Sequence, residues 1–244
     1  MALLLTPLAA LVLRAPWASL ADHLAAPEVL AALRLSLLTA TVASALCLVL
    51  GVPLAWLLAR TRFPGQRVVR AVVTVPLVLP PVVGGVALLL VFGRNGLAGR
   101  WLDATFGICL PFTTSGVVLA ETFVALPFLV VSVEGALRGA DARYEEAATT
   151  LGADRWTVFR RVTLPMIAPG VAAGAVLCWA RALGEFGATI TFAGNYPGRT
   201  QTMPLAVYLA MERDLDAAIL LSVVLLIVSV AVLAGLRSRW VPQP

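Results

Sequence analysis

Apolar residues run almost unbroken through five stretches of the chain, at about 35–59, 71–92, 116–136, 168–193 and 217–236. A helix needs roughly 20 such residues to cross the hydrocarbon core of a bilayer. Residues 2–13 are also apolar but too short to span alone. They are expected to form a helix that touches or partly enters the membrane. The expected fold is therefore all-α, a polytopic membrane helical bundle of five full spans plus a short N-terminal helix, or six spans if that helix also crosses. The pattern divides the chain into an N-terminal segment 1–32, a transmembrane body 33–236 and a tail 237–244, with one long polar loop at 137–167.

Composition agrees. The chain is 60% hydrophobic and 13% charged, with a mean hydropathy of +0.94. A soluble domain carries about 25% charged residues. All 18 basic residues are Arg. Without a Lys there is no P-loop and no Schiff-base chemistry, so ATP hydrolysis would have to occur on another chain. The one His, His23, and the three Cys, Cys47, Cys109 and Cys178, do not make a metal-ligand set. Cys47 and Cys178 read as small apolar residues within helices. No metal and no cofactor are expected on this chain.

The net charge of +5 would suit nucleic acid, but its distribution suits a membrane better. Eleven Arg fall in loop 60–70, loop 137–165 and the tail, which includes Arg237 and Arg239. Six fall on the opposite side, and Arg181 lies within a span. The Arg-rich side is then cytoplasmic, and the C-terminus with it. A cytoplasmic-membrane location and no nucleic-acid partner follow.

The cytoplasmic loop contains DARYEEAATTLGADRWTVFRRVTLP, residues 141–165. Asp141 suits a helix N-cap, and Glu145 and Glu146 suit the first turns, where the helix dipole favours negative charge. Tyr144, Ala147, Ala148 and Leu151 share one helical face. Gly152 fits the left-handed position that ends a helix. Asp154 can cap a second helix bearing Trp156, Phe159 and Val162. Periodicity alone leaves two readings open, a surface for another protein or a helix lying on headgroups.

Two of the spans carry breakers or charges. The second has Pro76, Pro80, Pro81, Gly84 and Gly85. Internal Pro frees backbone groups that must be buried in protein or face a wet cavity. Such interruptions point to a transport pathway, or else to a packing kink. The fourth span reads RALGEFGATIT, with Arg181 and Glu185 four apart and able to pair. That pair reads as a structural contact, with a gate as the alternative. Thr189 and Thr191 offer hydroxyls to the pathway or to their own backbone. Glu121 is a further acid within a span. In the outer loop Asn195, Pro197 and Gly198 make a turn, and Arg199, Thr200, Gln201 and Thr202 form a polar cluster for an oxyanion or a binding protein, or simply for solvent.

Glu146, Ala147, Ala148 and Gly152, followed by Val162, Leu164 and Pro165, resemble the EAA motif of ABC importer permeases. Val162 stands where Ile is usual. The stretches 76–84, 92–96 and 181–208 are similar to molybdate ABC transporter permeases, although the GEFGA core is shared with sulfate and thiosulfate permeases. The resemblance covers about residues 30–235. It implies a type I importer architecture and a homodimer. It implies two ATPase subunits carrying the ATP and an extracytoplasmic molybdate-binding protein. It also implies that Glu146, Ala147, Ala148, Gly152, Leu164 and Pro165 couple the spans to the ATPase. Tungstate and sulfate or thiosulfate are the alternative substrates. A secondary anion transporter without an ATPase is the alternative of another class; it would be expected to have an inverted repeat and coupling groups in several spans.

Overall fold

The computed structural model describes residues 2–20 and 25–240, so His23 lies outside the described residues, as do the side chains of Arg237 and Arg239. Every regular element among the described residues is helical. Four helices are long and apolar enough to cross a membrane, by length and composition: Pro27–Arg60, Thr114–Gly139, Arg155–Leu183 and Leu215–Val232.

In chain order α1 is Ala2–Arg14, α2 Pro27–Arg60, α3 Gln66–Val78 and α4 Pro81–Phe92. A short α5, Gly99–Phe106, leads to α6, Thr114–Gly139. The polar loop folds as α7, Arg143–Thr150, and α8, Arg155–Val158, which continues through a π turn at Phe159–Thr163 into α9, Leu164–Leu183. The chain ends with α10, Gly187–Phe192, α11, Met203–Arg213, and α12, Leu215–Trp240.

Two of the expected spans are broken. The stretch 71–92 is two helices, because α3 stops at Val78 and α4 starts again with Pro81 in its first turn. Pro80 and Pro81 offer no N–H to carry a ladder across that point. The stretch 168–193 is broken between Leu183 and Gly187, where Gly184 caps α9 and Phe186 takes a non-helical conformation.

The core forms where α2, α6 and α9 meet. Lipid tails are as apolar as Leu, so helices gain little by hiding Leu from them and rely instead on close contact at small residues. The residues at this seam are small. Ala40, Ala43, Cys47 and Ala55 of α2 are fully buried, as is Cys178 of α9. On α9, Gly170, Gly174, Cys178 and Ala182 recur every fourth residue. A Cβ on Gly170 would land on Ala136, and one on Gly174 would lie 2.9 Å from Ser132 Cβ.

Hydrogen bonds tie together three helices on the Arg-rich side of the bundle. Glu134 Oε1, on α6, accepts from Arg70 Nε at 3.0 Å and Nη2 at 2.8 Å, and from Arg138 Nη2 at 2.7 Å. Arg70 Nη2 and Gln66 Nε2 donate to the Leu58 carbonyl near the end of α2, at 3.1 and 2.7 Å. Deep within α6, Glu121 accepts from Thr39 Oγ1 of α2 at 2.9 Å.

Candidate functional site

The polar insert is a helix, a glycine turn and a second helix, as expected, with one shift. Asp141 does not cap α7 directly. Ala142 occupies the N-cap, and Asp141 Oδ1 accepts from Arg143 N at 3.0 Å in the turn before it. An aspartate bonds just as readily to the N–H two residues on, which moves the helix start by one position. Glu145 and Glu146 lie in the first turn. Gly152 has φ +87° and nothing within 4 Å of the place where a Cβ would stand, so it is held by backbone conformation and not by crowding. The turn is closed by Gly152 N to Thr149 O at 3.0 Å and Ala153 N to Ala148 O at 3.1 Å. Asp154 Oδ1 accepts from Thr157 N at 2.6 Å. Hydrogen bonds from the Thr157 side chain and then its backbone hold the Asp154 carboxyl below its usual range.

One side of α7 is fastened to the spans. Glu145 Oε1 accepts from Arg60 Nη2 of α2 at 3.2 Å and from Thr163 Oγ1 of the π turn at 3.0 Å. Arg60 Nη2 also donates to Ala140 O at 3.4 Å. The other side is bare: Glu146, Ala147 and Gly152 are exposed, as are Tyr144 at 63% and Leu151 at 88%. Leu164 and Pro165 stand apart from that face, in the first turn of α9. Sequence reasoning singled out Glu146 and passed over Glu145, which makes the contacts. Glu134 was also passed over, although its spacing of four from Arg138 was a readable sign.

The second group of candidates gathers where the two broken helices touch. A Cβ on Gly85 of α4 would lie 2.7 Å from Thr191 Cβ and 2.9 Å from Ala188 O, both in α10. One on Gly187 of α10 would lie 2.9 Å from Pro81 Cβ. Pro80 occupies the N-cap of α4, and Gly84 faces Phe123 of α6. Arg181 Nη1 and Glu185 Oε2 are 2.6 Å apart. Glu185 is 1% exposed, and its other oxygen accepts from Ala188 N at 2.8 Å, in the first turn of α10. The acid expected to pair with Arg181, as a structural contact or a gate, thus also holds an N–H of the next helix. Thr191 Oγ1 bonds back to Gly187 O at 2.8 Å, whereas Thr189 is fully buried with its hydroxyl unpartnered among the described residues.

The outer-loop residues divide. Arg199 is exposed, and its carbonyl accepts from Thr114 Oγ1 at 2.9 Å. Thr200 is fully buried, and its hydroxyl accepts from Tyr196 N at 2.9 Å, so it clasps the loop. Gln201 and Thr202 are buried with it, while Asn195 is half-buried. The coupling candidates and the pathway candidates form two separate groups, joined by α9.

Residues 51–242 match the family described as the binding-protein-dependent transport system inner membrane component. The molybdenum transport system permease protein ModB of Mycobacterium tuberculosis is 52% identical over 233 residues, 96% of this chain and 88% of that protein. The sulfate transport system permease protein CysT of Escherichia coli is 39% identical over 97% of this chain and 86% of that protein. In fold, the chain is similar to a bacterial ABC transporter that imports the acidic polysaccharide alginate, with a TM-score of 0.76 at 17% identity, covering 97% of this chain and 88% of that one. The helical bundle is thus that of a type I ABC importer permease, and the chain is a multi-pass membrane protein that belongs to the binding-protein-dependent transport system inner membrane component family.

Proposed function

We propose that this chain is the membrane-spanning subunit of an ATP-driven importer of molybdate. The observation that carries the reading is the 52% identity to a molybdenum permease over 96% of the chain. The fold supports it with an insert that has one fastened side and one bare side. On this reading two copies line the path, and two ATPase subunits dock on the bare side around Glu146, Ala147, Ala148 and Gly152. An extracytoplasmic protein delivers the anion. ATP is hydrolysed on the partner, and this chain performs no chemistry and carries no cofactor. The Arg-rich loops and the C-terminus face the cytoplasm.

The mechanism follows from the attachments. A pull on α7 reaches α2 through Arg60 and α9 through Thr163, and helices fastened in this way move as bodies. Leu164 and Pro165 begin the helix that carries the motion inward. At its far end are Glu185 and the meeting of α4 with α10, where Pro80, Pro81, Gly84, Thr189 and Thr191 border the path. Arg181 offsets the charge of Glu185, so that carboxylate holds the break in shape and does not bind an anion.

Sulfate is the second reading, supported by the 39% identity to a sulfate permease. Purification with the neighbouring gene products, followed by ATPase assays with molybdate, tungstate and sulfate, separates the two. Stimulation by molybdate and tungstate but not sulfate is expected. Stimulation by sulfate alone would overturn the assignment of the anion, and failure to capture any P-loop ATPase would overturn the importer reading.

A further inference from the structure

The far end of the bundle from the polar insert holds a cavity of about 160 Å³, enclosed by the first turn of α2, by α11 and by α12. Val29 and Leu221 stand in its walls, and Gln201, Glu28 and Arg213 supply its polar groups. Gln201 is 5% exposed. Its backbone N–H is committed to Tyr196 O at 3.0 Å, and the N–H of Met203, two residues on, goes to Ser36 Oγ of α2 at 2.7 Å. The side-chain amide of Gln201 has no hydrogen-bond partner among the described residues. Glu28, in the first turn of α2, and Arg213, in the last turn of α11, are both exposed. Neither is in an ion pair among the described residues.

The polar groups select what the cavity takes. A buried amide left unbonded is costly, so its donor and acceptor are met by something that enters. A plain anion would be attracted by Arg213 and repelled by Glu28, and a plain cation the reverse. A molecule carrying both charges answers both. A cavity of about 150 Å³ holds benzene, so about six non-hydrogen atoms fit here, the size of alanine. A protein side chain brings one charge and leaves the other group unanswered.

We propose that this cavity binds a small zwitterion of the amino-acid type, with its carboxylate at Arg213, its ammonium group at Glu28 and the Gln201 amide bonded to it from the cavity floor. The site does not rest on the transport reading, and Glu28 disfavours a transported oxyanion there. A bound zwitterion joins the start of α2 to α11 and α12, and so stiffens that end of the bundle.

The test is saturation-transfer NMR of the purified, detergent-solubilised transporter complex, titrated with alanine, propionate and ethylammonium. The last two are alanine without its ammonium group and without its carboxylate. The unaltered complex should bind alanine about tenfold more tightly than either, the effect of one charge-assisted hydrogen bond. R213A and E28A should each weaken alanine by a similar factor, and E28A should accept propionate as well as it accepts alanine. Q201L should weaken alanine about fivefold. R94A, at a distant exposed position, should change nothing. Failure of the unaltered complex to bind alanine would leave the cavity to water and overturn the site. Propionate bound as tightly as alanine, or alanine binding undiminished in both R213A and E28A, would overturn it as well. So would E28A or R213A losing an extracytoplasmic binding protein with alanine binding unchanged, since the cavity would then be a protein contact.

Discussion

Glu185→Ala isolates what the buried carboxylate contributes. The side chain is 1% exposed, and it both faces Arg181 at 2.6 Å and accepts from Ala188 N at 2.8 Å. Removing one member of a buried pair leaves the other charge uncompensated, at a cost of roughly 3–5 kcal/mol. Arg181 keeps a quarter of its side chain accessible, 26%, which favours the lower end of that range. Loss of the acceptor for Ala188 N adds about 1 kcal/mol. A total near 4 kcal/mol should lower the melting temperature by about 8–16 °C for a chain of this size. Glu185→Gln keeps an amide oxygen for Ala188 N and should recover that hydrogen bond but not the charge. R181A/E185A removes both charges and should be more stable than E185A alone, the coupling a double-mutant cycle reads directly. The assay is thermal unfolding of the detergent-solubilised complex beside anion-stimulated ATPase activity. If E185A melted with the unaltered protein and its anion preference changed, the carboxylate would be a pathway group and the structural argument would fail.

Gly152→Val places a branched side chain at φ +87°, a conformation costing roughly 1–2 kcal/mol for a residue with a Cβ, and should weaken coupling while insertion persists; the readout is anion uptake per ATP hydrolysed. Gly152→Pro should uncouple more fully, and normal uptake by it would remove the coupling role. Gly85→Val drives a side chain into Thr191 and the Ala188 carbonyl and should destabilise by about 1–3 kcal/mol, read as a lower melting temperature, whereas Gly135→Ala, with nothing within 4 Å, should not. Asp154 caps α8 only as a carboxylate with a lowered pKa, so its contribution is full above the unfolded value of 3.8 and is lost as pH falls through the lower folded one. Limited proteolysis of the insert should become faster below that range in the unaltered protein, and Asp154→Ala should be cleaved faster already at neutral pH.

The insert was legible because its signals are local. Gly152, Asp154 and the paired glutamates each act within four residues of themselves, so spacing fixed the helix, the turn and the second helix. Asp141 shifted by one position because an aspartate can satisfy either of two neighbouring N–H groups. The assignment of roles within the pair went differently. Glu145 and Glu146 are equivalent to any local rule, and only Arg60, 85 residues away, and Thr163, 18 away, decide which of them is fastened. Glu121 is the same case, since its partner Thr39 is 82 residues distant. Hydropathy counted the broken stretches as whole spans because it averages over a window and does not see a missing N–H. The prolines marked the first break in advance. The second has no proline, only Gly184 and a glutamate whose bond to Ala188 lies in the first turn of the new helix.

The two breaks make sense together. A helix interrupted within the membrane leaves polar backbone exposed unless protein covers it. Here each interruption is covered by the other, since Gly85 and Gly187 carry no side chains and let α4 and α10 touch backbone to backbone. That contact can hold only while α9 keeps its position, because α9 carries Glu185 just past its end. Along its length α9 meets α6 in close contact through small residues, Gly170, Gly174, Cys178 and Ala182. At its base it is held by Thr163 to Glu145. A further tie runs from Trp179 Nε1 of α9 to Thr41 Oγ1 of α2 at 3.2 Å, whereas the clamp of Glu134 with Arg70 and Arg138 does not include α9. On the coupling reading, a displacement of the insert reaches α9 through Thr163, and the meeting of α4 with α10 is where it has to be accommodated.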